Sequence, residues 1–196
     1  MPKLGMEPVR RKALVDAALR TIGARGTLDV TMSEIARVAG VSPALAHHYF
    51  GSKDKLLVET MRTLLRQLHV EAADGLRRAA TPRARLSAVI EVSFAADQFA
   101  PGTVAAWLAF YVDVQRSIET LRLFRLYARR LNSNLMSGLA GLVAKPDAQR
   151  IAEGAAAMID GLYIRQALYR GRKGTGSPAD LVEDYISTQL ALTGAR

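Results

Sequence analysis

Residues 31–57, TMSEIARVAGVSPALAHHYFGSKDKLL, hold two short helix signatures on either side of a glycine, and a third that opens directly after them. Thr31 and Glu34 have the spacing of a capping box, in which the hydroxyl accepts from one orphan amide while the carboxylate reaches back to another. Gly40 lies in Ala39-Gly40-Val41, where a turn needs a positive φ without a Cβ penalty. Ser42 suits an N-cap, and Pro43 suits the first helical position because no intrahelical N–H bond is lost there. Ser52-Lys53 starts the third helix. Two short helices around a glycine turn make a helix-turn-helix, whose second helix lies in the DNA major groove. The segment therefore points to DNA binding.

The rest of the chain reads as helices too. The first is expected from about Pro8 to Arg25, with Leu14, Ala17, Ala18 and Ile22 on one face and Arg10, Arg11 and Lys12 near its start. Cations are unfavourable at that end of a helix dipole, so they call for a compensating anion such as phosphate, or else form a solvated basic end. The helix from Ser52 should reach Ala79 or Ala80, with Leu56, Leu57, Met61, Leu64, Leu65 and Leu68 at helical spacing. A helix that long leaves the motif as a lever. Further helices are expected over 83–99, 103–117, 119–143, 147–170 and 178–192, separated by Ala100-Pro101-Gly102, Lys145-Pro146 and Gly171–Ser177. The fold class is all-α: an N-terminal helix-turn-helix domain over 1–52 and a larger helical domain over 53–196.

The residues of the motif resemble the tetracycline-repressor (TetR) family of bacterial one-component regulators. The pattern T-x-x-x-I-A-x-x-A-G-V-S, an aromatic cluster ending in Phe, then S-K-x-x-L, is carried by Thr31, Ile35, Ala36, Ala39, Gly40, Val41, Ser42, Phe50, Ser52, Lys53 and Leu56. Where the family often has Tyr, this chain has His47. The resemblance implies operator contacts by Thr31, Ser42, Pro43, Ala44, Leu45, His47, His48, Tyr49 and Lys53. The chemistry of the side chains agrees. Small apolar Ala44 and Leu45 can meet thymine methyls. His47, His48 and Tyr49 carry donors or acceptors, and Lys53 at a helix N-terminus suits a phosphate as well as it suits solvent.

Charge fits a polyanionic partner. The 196-residue chain carries a formal +9, and residues 1–55 alone carry nine basic against five acidic side chains. With no cysteine there is no disulfide, thiolate metal site or cysteine nucleophile. No run is apolar and long enough for a signal peptide or a bilayer span, so a cytoplasmic protein is expected. Catalysis finds no constellation: His47, His48 and His69 lack metal-ligand spacing, and Glu183-Asp184 do not face one another. Gly171–Gly176 lacks the spacing of a phosphate-binding loop. No enzyme activity, cofactor or metal is expected.

In the second half, Trp107, Phe110, Tyr111 and Val114 share one helix face, and Asp160 precedes Tyr163 by three residues. Such a stripe is ordinary core or the wall of a ligand site. Aromatic faces attract quaternary ammonium ions by roughly 0.5–2 kcal/mol per ring, and a carboxylate would complete a cation site. A second resemblance bears on this choice. Met1–Met6, Ala106–Phe110, Arg129–Leu131 with Asn134-Leu135, and Ile159–Tyr163 resemble a branch of the family made up of choline-responsive repressors of glycine betaine synthesis genes. It implies choline as the inducer and control of genes that convert choline to betaine, and the aromatic and carboxylate chemistry then nominates Trp107, Phe110, Tyr111, Asp160 and Tyr163 as its contacts. It also implies a homodimer joined through the last two helices, with Ala155, Met158, Ile159, Leu162, Leu181, Tyr185 and Leu192 on their apolar faces. A multidrug-sensing repressor with a broad cationic site is the alternative.

Overall fold

The computed structural model describes residues 5–27, 29–169 and 176–194. Met1–Leu4 of the N-terminal resemblance and Gly171–Thr175 of the glycine-rich loop lie outside the described residues. Among the described residues there are nine α-helices and no strand: α1 Met6–Arg25, α2 Met32–Ala39, α3 Pro43–Phe50, α4 Lys53–Arg78, α5 Pro82–Ser93, α6 Pro101–Asp113, α7 Ile118–Leu139, α8 Lys145–Leu168 and α9 Pro178–Leu192. A 3₁₀ turn, Ala96–Phe99, precedes α6. The chain forms two compact units. One takes residues up to Arg66 together with Phe99–Leu123; the other takes Gln67–Gln98 and the chain from Phe124 onward.

In the first unit, Leu14, Ala18 and Ile22 of α1 close over Ile35 and Ala36 of α2, Ala46 and Phe50 of α3, and Leu56 of α4, all buried. Each large aliphatic side chain hidden this way contributes about 1.5–3 kcal/mol. Gly26 ends α1 in the left-handed conformation (φ 65°), its N–H donating to the Ile22 carbonyl at 2.8 Å. The expected capping box forms: Glu34 N–H donates to Thr31 Oγ1 at 3.1 Å and Thr31 N–H to Glu34 Oε2 at 2.8 Å. Arg25 pairs with the same Glu34, tying the end of α1 to the start of α2. The start of α6 lies directly on α1, glycine against glycine. A Cβ on Gly102 would stand 2.3 Å from the Leu19 carbonyl oxygen, and one on Gly23 would stand 2.7 Å from the Gly102 nitrogen.

The second unit is a helical bundle around Leu86, Ile90, Leu135, Leu139, Ile151, Ala155, Ile159, Val182 and Ile186. Gly138 lets α7 approach α5, since a Cβ there would meet Leu86 Cγ at 2.7 Å. Ser177 and Asp180 cap α9 reciprocally, and Arg83 of α5 pairs with Glu183 of α9.

One expected helix is broken. The segment over 83–99 ends as a helix at Ser93, and Phe94 leaves the helical region with ψ 18°. Ser93 donates its hydroxyl back to the Val89 carbonyl at 2.8 Å, a bond that competes with the helix ladder. Pro101 then holds Ala100 extended (ψ 137°) and restarts the chain as the first residue of α6. The remaining differences are shifts of a few residues at helix ends, as at α6, which stops at Asp113 rather than Ser117.

Candidate functional site

The turn between α2 and α3 is built as the residues require. Gly40 sits at φ 69° and ends α2; its N–H donates to the Arg37 carbonyl at 3.2 Å, and that of Val41 donates to the Ala36 carbonyl at 3.0 Å. Ser42 Oγ accepts from Leu45 N–H at 3.1 Å, and Pro43 occupies the first turn of α3. The inward side of α3 is Ala46 and Phe50, one helical turn apart and both buried. Its outward side is Pro43, Ala44, His47 and His48, all exposed, with Leu45 and Tyr49 half-buried at its edges. The helix thus presents small apolar groups near its N-terminus and two imidazoles toward its C-terminus, with no acidic side chain among them.

Individual side chains differ in what they can still offer. The Thr31 hydroxyl is occupied within the cap: it accepts from Glu34 N–H and donates to Glu34 Oε2 at 3.0 Å. It orients α2 in this arrangement. Ser42 only accepts in its cap, so its proton can be given to a phosphate oxygen. Ser52 Oγ accepts from Lys55 N–H at 3.2 Å at the start of α4, beside half-buried Lys53. His47 Nδ1 is bonded to the Gly51 carbonyl at 3.0 Å.

Of the basic cluster at the start of α1, Lys12 pairs with Asp16 at 2.7 Å and Arg10 is exposed. Arg11 does something the sequence did not signal. Its Nη1 donates to the Tyr49 carbonyl at 2.6 Å, and the guanidinium lies 4.4 Å from the Phe50 ring centroid. A cation on one of the last carbonyls of α3 satisfies an otherwise orphaned acceptor and complements the helix dipole. Here the compensating group for the basic end is the C-terminus of the outward-facing helix.

The residues expected to meet a cationic effector fall in both units, and each set has its own geometry. On α6, Trp107 and Phe110 are buried with ring centroids 5.8 Å apart, edge to face, and Tyr111 lies 5.8 Å from Trp107. On α8, Asp160 is half-buried and accepts from the Tyr127 hydroxyl of α7 at 2.7 Å. Tyr163 is buried and donates to the Gln98 carbonyl at 2.8 Å; burial pushes its phenol well above the usual range, so it stays a donor. Tyr127, with Phe124 at 6.3 Å, was not legible as a partner of Asp160, because 33 residues separate them. Among the described residues, no three His, Asp or Glu side chains cluster to hold a metal, and no helix is long and apolar enough to cross a membrane.

Comparison with known proteins decides what kind of molecule carries this arrangement. Residues 14–60 match the model of bacterial regulatory proteins of the tetR family, and residues 82–191, more than half the chain, match that of the C-terminal part of BetI-type transcriptional repressors. The chain belongs to the TetR family, with a C-terminal part of the BetI type. The HTH-type transcriptional regulator BetI of Rhizobium meliloti (strain 1021) is 64% identical over 194 residues, covering 99% of this chain and 96% of that protein. BetI of Agrobacterium fabrum is 65% identical over 190 residues, covering 97% and 92%. Among solved structures, a transcriptional regulator from Pseudomonas aeruginosa PAO1 superposes with a TM-score of 0.79 at 26% identity, covering 94% of this chain and 91% of that one. A regulator from Saccharomonospora viridis, solved in complex with choline, shares the fold with a TM-score of 0.73 at 22% identity, covering 92% and 95%. This TetR-family chain is a DNA-binding transcriptional repressor of the BetI type and not an enzyme.

Proposed function

We propose that this repressor binds a palindromic operator as a homodimer and leaves it when choline binds, so that genes converting choline to glycine betaine are expressed. The observation that carries the reading is the 64% identity to a BetI regulator along 99% of the chain. The choline held by a more distant relative of the same fold agrees with it. In this reading α3 enters the major groove, with Ala44 and Leu45 against thymine methyls and His47 and His48 at base edges or phosphates. Ser42, Pro43, Tyr49 and Lys53 meet the backbone around it, and Thr31 places α2. Trp107, Phe110, Tyr111, Asp160 and Tyr163 are the candidate effector residues, since aromatic faces attract a quaternary ammonium and a carboxylate offers it a counter-charge.

The dimer is assigned to α8 and α9. Ala155 and Ile159 are committed to the chain's own core, whereas Leu168, Leu181 and Leu192 are exposed. Gly161, exposed in the middle of α8, has open space where a Cβ would stand. Repression and release require two global states with different operator affinity, one of them favoured by the effector. As an operator-binding protein the repressor acts in the cytoplasm.

Calorimetric titration with choline, glycine betaine and a bulky lipophilic cation, run beside operator mobility shifts, tests this. Choline should bind and weaken the operator complex. A bulky cation that binds while choline does not would favour the multidrug-sensing alternative. No choline binding at millimolar concentration would end the betaine-pathway reading while leaving operator binding intact.

A further inference from the structure

The imidazole of His47 has two nitrogens, and the fold has already assigned one. Nδ1 lies 3.0 Å from the Gly51 carbonyl oxygen. A carbonyl can only accept, so Nδ1 of the neutral ring carries the proton and Nε2 is left with a lone pair. The contact is part of a closed pair, because the Gly51 N–H donates to the His47 carbonyl at 2.7 Å. Gly51 is at φ 77°, a conformation that suits glycine, and it brings its own carbonyl back to the side chain four residues earlier. His47 remains exposed, and it shares a helix face with exposed Ala44 three residues before it.

From this we infer that His47 reads base sequence as an acceptor: its Nε2 selects an exocyclic amino group, adenine N6 or cytosine N4, in the major groove. The inference rests on α3 being the helix that enters the groove. Adenine and cytosine are the bases that present an N–H donor there. Guanine O6 and N7, thymine O4 and the phosphate oxygens are all acceptors, and against them the Nε2 lone pair is repelled. His47 is then a specificity residue, unlike neighbours such as Lys53 and Ser42 that suit the backbone.

Two measurements on the full-length protein test this. Nitrogen NMR of the histidine side chains, with His47 assigned by the signal lost in His47→Ala, should show the Nδ1–H tautomer of the neutral ring; an Nε2–H tautomer overturns the inference. For recognition, a duplex selected by the protein from a random pool is rebuilt one position at a time, with purine in place of adenine or 2-pyrimidinone in place of cytosine. Each analogue removes only the amino group. At one position per half-site the parent should lose about five- to tenfold in affinity, the scale of one neutral hydrogen bond. His47→Ala should already have lost that factor and show no further drop there, while every other position behaves as in the parent. Full additivity at all positions, or an equal loss by His47→Ala on every sequence, refutes the role. Failure to select any duplex would instead overturn the DNA-binding assignment of α3, and this inference with it.

Discussion

Arg11→Ala separates two physical roles that the sequence left open for the basic start of α1. In the structure the guanidinium is half-buried, donates to the Tyr49 carbonyl at 2.6 Å and lies 4.4 Å from the Phe50 centroid. Hydrogen bonds to a charged group contribute about 1.5–3 kcal/mol. A partly exposed cation–π contact adds about 0.5–1 kcal/mol. Water can reach the Tyr49 carbonyl once Arg11 is truncated, which offsets part of the loss. A net cost of about 2 kcal/mol follows, or roughly 4–8 °C in melting temperature for a chain of this size. Arg11→Lys should recover part of it, since an ammonium can reach a carbonyl but cannot cover the ring with a planar face. The assay is thermal denaturation of parent and both variants at one protein concentration, paired with operator affinity across a salt series. If Arg11 holds α3, the variant melts early and keeps the salt slope of the parent. If it instead contacts DNA, the variant melts with the parent and its slope falls by about one phosphate contact. That second outcome would refute the structural role.

Other expectations are narrower. Gly102→Ala places a Cβ 2.3 Å from a backbone oxygen in the middle of α1, so it should destabilise by about 1–3 kcal/mol in chemical denaturation, because neither helix can give way locally. Gly161→Ala meets open space in the chain and gains helix propensity; a weaker dimer in sedimentation would place that face at the subunit contact, and an unchanged dimer would move the contact elsewhere. Asp160→Asn keeps the shape of the side chain and removes its charge, so it should weaken choline in calorimetry while leaving operator affinity near that of the parent. Parent-like choline binding would make Asp160 a structural partner of Tyr127.

The local signals were strong where the physics is local. Thr31 and Glu34, Gly40, and Ser42 and Pro43 each act within a few residues. Their caps and turns could be read directly, and the structure forms them. Helical spacing of apolar residues placed most of the helices for the same reason. The break near Phe94 was missed because nothing in its own sequence is a strong helix breaker; Pro101, several residues on, sets the backbone that the break must feed.

The sequence by itself therefore determined the all-α class and the helix-turn-helix, since these follow from periodicity and capping along short segments, while Ala44, His47 and His48 were singled out by the family resemblance. Tertiary structure decided which partners distant groups take. Arg11 lies 38 residues from Tyr49, Tyr127 lies 33 from Asp160, and Tyr163 lies 65 from Gln98. No pattern of spacing connects such pairs, because packing of helices against one another chooses which donor reaches which acceptor. It also decided the fate of His47 Nδ1, a bond that exists only because Gly51 adopts a positive φ and turns its carbonyl back onto the ring.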